Sequence, residues 1–218
     1  MRAQHIRLGR FDRRLRAESA TQVLIGVDEV GRGSLAGPVV AAAVVLPEGA
    51  RLRGLDDSKN LPASERVRLA DEVRSCALTF AFAFVGPRRI DDLNIRQASL
   101  LAMRRSVLRA ARRAAQRLGA PGLVLVDGVD TIPGLDLPQR AIIDGDATSL
   151  SVAAASVLAK TVRDGFMTRL GEDFPAYGFE RHKGYGTPEH LEALERTGPC
   201  LWHRYSFSPV AQPSLFPV

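Results

Sequence analysis

Acidic side chains stand where three apolar runs of this chain end. They are Asp28 with Glu29, Asp127, and Asp144 with Asp146. Acids at strand ends in an open sheet can meet at one edge, so we expect these side chains to converge. Carboxylates without a neighbouring cluster of His or Cys suit hard, oxygen-preferring ions such as Mg²⁺ or Mn²⁺. Two such ions, roughly 3.5–4 Å apart, can activate a water molecule and steady the leaving oxygen of a phosphodiester.

The first acidic pair lies between an apolar run and the glycine-containing segment Gly31-Arg32-Gly33. Neighbouring side chains of a regular strand point to opposite faces of the sheet. Asp28 and Glu29 are therefore expected to share one site only if the chain leaves strand geometry there, and the glycines permit such a departure. The alternative is an ordinary turn with two solvated acids.

Other catalytic patterns are weak. The sequence holds no G-x-x-x-x-G-K-[S/T] segment, which disfavours a P-loop nucleotide hydrolase. No Ser-His-Asp spacing is persuasive for nucleophilic catalysis. His182 and His190 are candidate metal ligands, although a lone histidine is more often a surface or packing residue.

The charge balance favours a polyanionic partner. The 218 residues carry a net charge of +6, and nearly all of the positive charge is arginine. The three lysines, Lys59, Lys160 and Lys183, each fall within a motif-like stretch, which suggests that these positions require an ammonium group. Such a balance fits nucleic acid, although a basic surface can also simply aid solubility.

Apolar runs and cysteines restrict the class of protein. No apolar run reaches the roughly 18 residues that a membrane span needs, and no secretory signal is visible, so we expect no membrane contact. Cys76 and Cys200 show no C-x-x-C spacing, so we expect a reducing, cytoplasmic setting without disulfides.

Hydrophobic periodicity predicts an α/β domain that positions the acids. The predicted strands cover about 22–29, 38–46, 77–86, 123–126 and 140–143, and the predicted helices about 62–75, 95–118, 150–170 and 188–196. We expect residues 1–20 to form a basic tail or a marginal helix, 21–198 the catalytic domain, and 199–218 an irregular C-terminal segment.

Seven segments together resemble the successive blocks of the ribonuclease HII family, the type 2 ribonucleases H, in order and at plausible spacing. They are D-E-V-G-R-G at 28–33, D-S-K-N-L at 57–61, I-D-D-L-N-I-R-Q-A-S-L-L-A-M at 90–103, V-D-G at 126–128, S-V-A-A-A-S-V-L-A-K-T-V-R-D at 151–164, H-K-G-Y-G-T at 182–187 and H-R-Y-S-F-S-P-V at 203–210.

The resemblance implies a ribonuclease H-like fold, with a five-stranded mixed sheet flanked by helices and a small C-terminal helical part. It implies endonucleolytic cleavage of RNA in RNA–DNA hybrids and incision at single ribonucleotides in duplex DNA, with a role in ribonucleotide excision repair. Products would carry 5′-phosphate and 3′-hydroxyl ends. The protein is expected to act as a monomer.

By motif position the resemblance makes Asp28, Glu29, Asp127 and Asp146 the catalytic metal ligands, with two Mg²⁺ or Mn²⁺ ions expected during catalysis. The family's fourth acid usually stands in K-G-D, whereas this chain reads D-G-D. Asp144 therefore occupies a position where Lys is common, and its extra negative charge would attract metal or alter the contact with phosphate.

The resemblance also assigns residues to the substrate. Gly31, Arg32 and Gly33 would read the 2′-hydroxyl, since glycines let the backbone approach the sugar and this hydroxyl distinguishes RNA from DNA. Tyr185 would stack against the neighbouring deoxyribose, the alternative being an ordinary loop tyrosine. The expected phosphate contacts are Lys59, Lys160, Lys183 and Arg204, and Lys160 is alternatively a partner for the acids.

The segment Q-P-S-L-F at 212–216 resembles the peptides that bind bacterial sliding clamps. In this interpretation Leu215 and Phe216 fill a pocket and Gln212 makes hydrogen bonds. The pattern is short, and Pro213 stands where Leu is usual, so chance resemblance is the alternative.

Two alternatives to the main interpretation stay open from sequence. One is a ribonuclease HIII-like enzyme that attacks hybrids but handles lone ribonucleotides poorly; the G-R-G segment and Tyr185 argue against it. The other is a non-catalytic hybrid-binding protein, which the four intact acids disfavour.

Overall fold

A five-stranded mixed sheet forms the centre of the molecule. The computed structural model describes residues 2–19, 21–55, 62–119 and 122–211. The strands, in chain order β1 to β5, are Leu24–Val30, Val39–Val45, Thr79–Val85, Leu123–Asp127 and Gln139–Ile142. Their spatial order is β3-β2-β1-β4-β5. The β1–β2 and β2–β3 pairs are antiparallel, and the β1–β4 and β4–β5 pairs are parallel, which confirms the predicted mixed sheet.

Helices flank the sheet. In chain order α1 to α8 they are Arg2–Glu18, Ala63–Cys76, Pro87–Leu93, Ile95–Leu118, Gly145–Thr148, Leu150–Asp173, Phe179–His182 and Pro188–Thr197. Across the described ranges, no helix is both long and apolar enough to cross a membrane.

The sheet is buried on both faces. Helix α4 covers one face, where Ile25 and Val27 join its apolar residues, and α2 and α6 cover the other. Strand β2, which reads V-V-A-A-A-V-V, is fully buried, as expected for a strand between two helical layers. Helix α6 crosses β1 so closely that a Cβ on Gly26 would lie 2.2 Å from the Ser151 carbonyl carbon. The small residues that open α6 make this approach possible.

The N-terminal segment forms a helix, which was one of the two predicted alternatives beside a basic tail. Residues 2–18 form α1, and Leu8 and Leu15 on this helix are fully buried. The buried carboxylate of Asp12 accepts hydrogen bonds from the Ser149 hydroxyl and from the backbone amide and hydroxyl of Ser151, at 2.7–3.0 Å. A carboxylate is favoured at the first turn of a helix. Asp12 thus docks α1 on the start of α6, which explains why this arginine-rich segment folds against the domain.

Arginines of α4 cover the exposed edge of the sheet. Arg109 and Arg113 each donate to a carbonyl of edge strand β3, at Phe82 and Phe80, over 2.7 Å, and Arg117 donates to the carbonyl of Leu78. Four residues of helix advance about 6 Å and two residues of strand about 6.6 Å, so the two repeats match. Bonded edge carbonyls are protected from pairing with another strand, so these side chains serve the fold.

The C-terminal part adds a second small core. Tyr177, Phe179 and Ala193 pack with Met167 and Leu170 of α6. The chain then returns to the main domain, where His203 forms a bridge with Ala36. The carboxylate of Asp91 accepts from the amides of Tyr205 and Ser206, at 3.0 and 2.9 Å. These contacts bring the H-K-G-Y-G segment beside the loop that follows β1.

Candidate active site

Two acids come from the parallel strands β1 and β4. Val27 is in register with Val126, so Asp28 and Asp127 occupy the next position of each strand. Successive side chains of a strand point to opposite faces, so Asp28 and Asp127 both point to the face that α6 covers. The Asp28 carboxylate accepts from the Glu29 amide at 2.7 Å and from the Ser156 hydroxyl on α6. The Asp127 carboxylate accepts from the Gly145 amide, also at 2.7 Å, which ties β4 to α5.

Glu29 reaches the same region without a break in the strand. We expected Asp28 and Glu29 to share a site only if the chain left strand geometry there, but β1 continues to Val30 with Glu29 in register with Ala41. The expectation was wrong because the residues lie where the strand ends, and both line the same cleft there. The Glu29 carboxylate forms an ion pair with Arg32 at 3.1 Å.

The fourth acid stands on the short helix α5. Asp146 is buried, with 8% of its surface exposed, and lines the cleft. Asp144 precedes α5 in the left-handed conformation (φ 50°) and is exposed. Of the two acids in D-G-D, Asp146 is therefore the one that joins the strand-end carboxylates.

The cleft that these elements enclose has a volume of about 270 Å³. Its lining residues are Asp28, Glu29, Val30, Arg66, Asp127, Asp146, Ser156, Val157 and Lys160. The predicted convergence of four acids on one edge therefore occurs. Within the described ranges, however, no group of three or more His, Cys, Asp or Glu side chains is already arranged as a metal site.

The electrostatics of the cleft favour a cation. Burial, followed by the negative charges of Asp127 and Glu29, raises the pKa of Asp28 well above its ordinary value. Burial also raises the pKa of Glu29, and the guanidinium of Arg32 partly opposes that rise. Crowded carboxylates that are withdrawn from water are stabilised as anions when positive charge is added. The chemistry of this set of oxygen donors fits a divalent metal ion.

Basic side chains border the acids. Lys160 lines the cleft and forms an ion pair with Asp164 at 2.9 Å. Arg66 also lines the cleft, and its Nη2 lies 4.0 Å from Asp164. Arg66 was absent from the residues predicted from sequence, because one arginine of an arginine-rich helix carries no distinguishing pattern. This border of positive charge suits a phosphate-bearing substrate.

The G-R-G segment directly follows β1. Gly31 is buried and has φ +90°, a conformation that favours glycine, whereas Arg32 and Gly33 are exposed beside the cleft. Arg204, which was predicted to contact phosphate, is fully buried. It donates to the backbone carbonyls of Gly31 and Arg32 at 2.7 and 2.8 Å. That prediction is corrected, because a guanidinium enclosed by carbonyls cannot reach a phosphate.

The H-K-G-Y-G segment lies against the residues that follow the G-R-G segment, since the amides of Leu35 and Ala36 donate to the Gly184 carbonyl at 2.8 and 3.2 Å. Tyr185 is half-buried, and its ring centroid lies 5.7 Å from the Lys160 Nζ and 5.5 Å from the Arg163 Cζ. The Lys183 ammonium donates to the Thr168 hydroxyl and the Glu180 carbonyl, both at 2.6 Å. The structure thus brings Lys160 and Tyr185 together, and Lys183 lies in the same loop.

Histidines support this loop from beneath. The Cys200 amide donates to Nδ1 of His203 at 2.9 Å, so the proton of His203 resides on Nε2 and is donated to Nε2 of His190 at 3.0 Å. The proton of His190 then resides on Nδ1 and is donated to the Tyr185 carbonyl at 2.9 Å. A chain of neutral imidazoles therefore ends on the backbone of Tyr185. His182 is also buried, with its Nε2 2.7 Å from the Tyr177 carbonyl and its Nδ1 accepting from the Gly184 amide at 3.1 Å. His182 and His190 are thus packing residues, as the alternative interpretation held.

Some predicted residues lie outside the described ranges. They are Lys59, in the D-S-K-N-L segment, and Gln212, Leu215 and Phe216, in the C-terminal peptide. Their assignments stay predictions.

The comparisons with known sequences all agree on one family. A sequence model described as Ribonuclease HII matches residues 25–210. The ribonuclease HII of Verminephrobacter eiseniae is 50% identical over 190 residues, which cover 87% of each chain. The ribonuclease HII of Hyphomonas neptunium is 50% identical over 200 residues, or 88% of this chain and 96% of the relative.

Solved structures share the fold. The ribonuclease H2 of Pyrococcus horikoshii superposes with a TM-score of 0.67 at 25% identity, over 88% of this chain and 96% of its own. Ribonuclease HII in the PCNA complex from Archaeoglobus fulgidus gives 0.66 at 29% identity, over 85% and 95%. Bst-RNase HIII, crystallised with Mn²⁺, gives 0.69 at 18% identity, over 90% and 71%, which bears on the fold alone.

The histidine chain predicts a pH dependence of stability. Burial lowers the pKa of both His190 and His203 to about 4, from 6.5. Between these values the unfolded chain binds protons that the folded chain excludes, so the free energy of unfolding falls as the pH drops from about 6.5 towards 4. Each imidazole contributes up to about 1.4 kcal/mol per pH unit, the limit being approached near pH 5, where the unfolded imidazole is almost fully protonated. Urea unfolding at pH 7, 6 and 5 measures this slope.

A double variant, His190→Gln with His203→Gln, is the control for the other titrating groups. We expect this variant to be less stable at pH 7. Its free energy of unfolding should depend less steeply on pH, because the two titrating imidazoles are absent. Equal slopes for the variant and the parent protein would contradict the neutral assignment.

Proposed function

The chain belongs to the ribonuclease HII family, and from this premise we propose that it incises duplex DNA at single embedded ribonucleotides as well as cutting RNA–DNA hybrids. Family membership makes the protein a ribonuclease H, a hydrolase that cleaves the RNA of RNA–DNA hybrids and depends on metal ions. The observation that carries the proposal is the cleft in which four carboxylates lie beside the G-R-G segment.

The acids have the role of metal ligands. Asp28 and Asp127 project from adjacent parallel strands, Glu29 joins them at the end of β1, and Asp146 completes the set from α5. Mg²⁺ or Mn²⁺ bound by these oxygens supplies the positive charge that activates water and stabilises the leaving oxygen. Arg32 holds the Glu29 carboxylate in the described structure, so this ion pair rearranges when Glu29 acts as a ligand.

In this proposal the substrate lies across the G-R-G segment and the loop that carries Tyr185. The buried Gly31 holds the exposed Arg32 and Gly33 next to the acids, where backbone groups read the 2′-hydroxyl of the ribose. The half-exposed ring of Tyr185 stacks on the deoxyribose that follows, so the enzyme prefers an RNA-to-DNA step. Lys160, and Lys183 beside it, receive the phosphates, and Lys59 has the same role.

Hydrolysis determines the ends of the products. A water oxygen bonds to phosphorus while the bond to O3′ breaks, and O3′ takes a proton. The products therefore carry a 5′-phosphate and a 3′-hydroxyl. Asp144, exposed beside α5, acts by adding negative charge near the phosphate path rather than as a ligand.

The C-terminal peptide Q-P-S-L-F binds a sliding clamp in this proposal. It follows Ala211, the last described residue, which is exposed. The structure of a complex between PCNA and a ribonuclease HII from Archaeoglobus fulgidus is known, and that ribonuclease aligns with 85% of this chain. Leu215 and Phe216 supply the apolar anchors, with Gln212 as the polar contact.

A single-ribonucleotide duplex tests the activity. We expect the protein with Mg²⁺ or Mn²⁺ to cut this duplex beside the ribonucleotide and to leave a 3′-hydroxyl that a DNA polymerase extends. An all-DNA duplex is expected to stay intact. Asp28→Asn replaces a charged carboxylate with a neutral amide and lowers turnover at least about 100-fold, because the neutral oxygen binds a divalent ion much more weakly. Denaturing gels and polymerase extension measure cleavage and end chemistry.

The exposed Asp173→Asn, at the end of α6 and outside the lining of the cleft, is the matched control and retains full turnover. A protein that cuts hybrids but spares the single ribonucleotide would support the ribonuclease HIII-like alternative. Unchanged cleavage by Asp28→Asn would contradict the assignment of the acids.

Removal of residues 212–218 tests the clamp peptide. We expect the truncated protein to lose capture by an immobilised bacterial sliding clamp while it retains cleavage of a short duplex, because the peptide lies outside the catalytic domain. The double variant Leu215→Ala with Phe216→Ala is expected to behave as the truncation does. Equal capture of the full and truncated chains would end this part of the proposal.

A further inference from the structure

Two buried arginines join the substrate-reading loops. Arg163 of α6 and Arg204 near the C-terminus are both fully buried. Within the described residues, each hydrogen bond from their guanidinium groups ends on a backbone carbonyl. Arg163 donates to Pro38, Lys183 and Ala36 at 2.9, 3.0 and 3.2 Å.

Arg204 binds the G-R-G segment itself. Its Nη2 donates to the carbonyl of Gly31 at 2.7 Å, and its Nη1 to that of Arg32 at 2.8 Å. Its Nε and Nη2 also reach the carbonyl of Gly37, at 3.0 and 2.9 Å. One planar group therefore fixes both ends of the 31–37 turn.

Gly31 lies against both arginines. A Cβ at this position would lie 2.1 Å from the Arg163 Nε, so Arg163 fills the space that any other residue would need. The same guanidinium faces the ring of Tyr185 at 5.5 Å and bonds the carbonyl of Lys183. Arg163 therefore touches the G-R-G segment on one side and the Tyr185 loop on the other.

Such an arrangement is costly for stability. Burial lowers the pKa of Arg163, and burial together with the charge of Arg163 lowers the pKa of Arg204 to about 9. Buried charge without an equal counter-charge is unfavourable unless many hydrogen bonds compensate it. The guanidinium fork supplies five donors in a fixed plane, which a lysine cannot. The presence of two such arginines therefore points to a requirement for a fixed backbone geometry of the loops.

We propose that Arg163 and Arg204 are positioning residues that fix the G-R-G segment relative to Tyr185 and thereby determine selectivity for an isolated ribonucleotide. The inference rests on the proposed function of these two loops. A lone ribonucleotide offers a single 2′-hydroxyl, so its cleavage depends wholly on the separation of the two loops. A continuous hybrid offers a 2′-hydroxyl at each step and further RNA contacts, so its cleavage tolerates small displacements.

The test compares two substrates and four proteins. Cleavage of a single-ribonucleotide duplex and of a continuous hybrid is measured as kcat/KM for the parent, Arg163→Lys, Arg204→Lys and the exposed control Arg105→Lys. We expect each buried variant to lose at least about tenfold more on the single ribonucleotide than on the hybrid, which corresponds to about 1.4 kcal/mol of transition-state stabilisation. Arg105→Lys leaves the ratio unchanged. Equal losses on both substrates overturn the proposal, because they indicate general destabilisation.

A double-mutant cycle covers the case in which Arg204→Lys does not fold. Arg163→Lys is combined with Tyr185→Ala on the single-ribonucleotide duplex. If Arg163 acts through Tyr185, the combined loss is smaller than the product of the separate losses by at least about fivefold. Independent effects overturn the proposal. A parent protein inactive on the single ribonucleotide would instead refute the proposed function, so the two failures are distinct.

Discussion

The repulsion among carboxylates withdrawn from water is the constraint on which this structure depends. Asp28 and Asp127 are fixed side by side by the parallel pairing of β1 and β4, and the pKa of Asp28 rises as a consequence. Hydrogen bonds from Ser156 and from the amides of Glu29 and Gly145 hold the acids in place without neutralising them. The sheet therefore maintains a concentration of negative charge that a divalent cation relieves. Under the proposed function, this crowding is the cost of a site that would bind metal.

The loops beside this site are held by buried polar groups rather than by apolar packing alone. Arg163 and Arg204 occupy backbone carbonyls of the segment after β1, and neutral His190 and His203 pass a hydrogen-bond chain to the Tyr185 carbonyl. Buried polar networks with satisfied partners rigidify a unique geometry. Under the proposed function these loops distinguish ribose from deoxyribose by one hydroxyl, and such a task gains from rigidity because a small displacement removes the contact.

The sequence predicted the elements that follow simple periodicity. Apolar runs identified all five strands, and the acids after them identified the cleft, since strand ends are easily located from a run of Val, Leu and Ile. The role of Arg204 was missed, because a polar residue in an irregular C-terminal segment looks exposed until the fold encloses it. The docking of α1 was missed for a similar reason. Asp12 of α1 bonds to Ser149 and Ser151, which lie more than a hundred residues further along the chain. A local sequence pattern carries no information on such a contact.

Anomalous diffraction from crystals soaked in Mn²⁺ tests the central claim most directly, because it locates the ions without reference to activity. The account predicts peaks within coordination distance of the carboxylates of Asp28, Glu29, Asp127 and Asp146, with the Glu29–Arg32 ion pair rearranged. Peaks elsewhere on the molecule, with the four carboxylates unoccupied at saturating Mn²⁺, would contradict it.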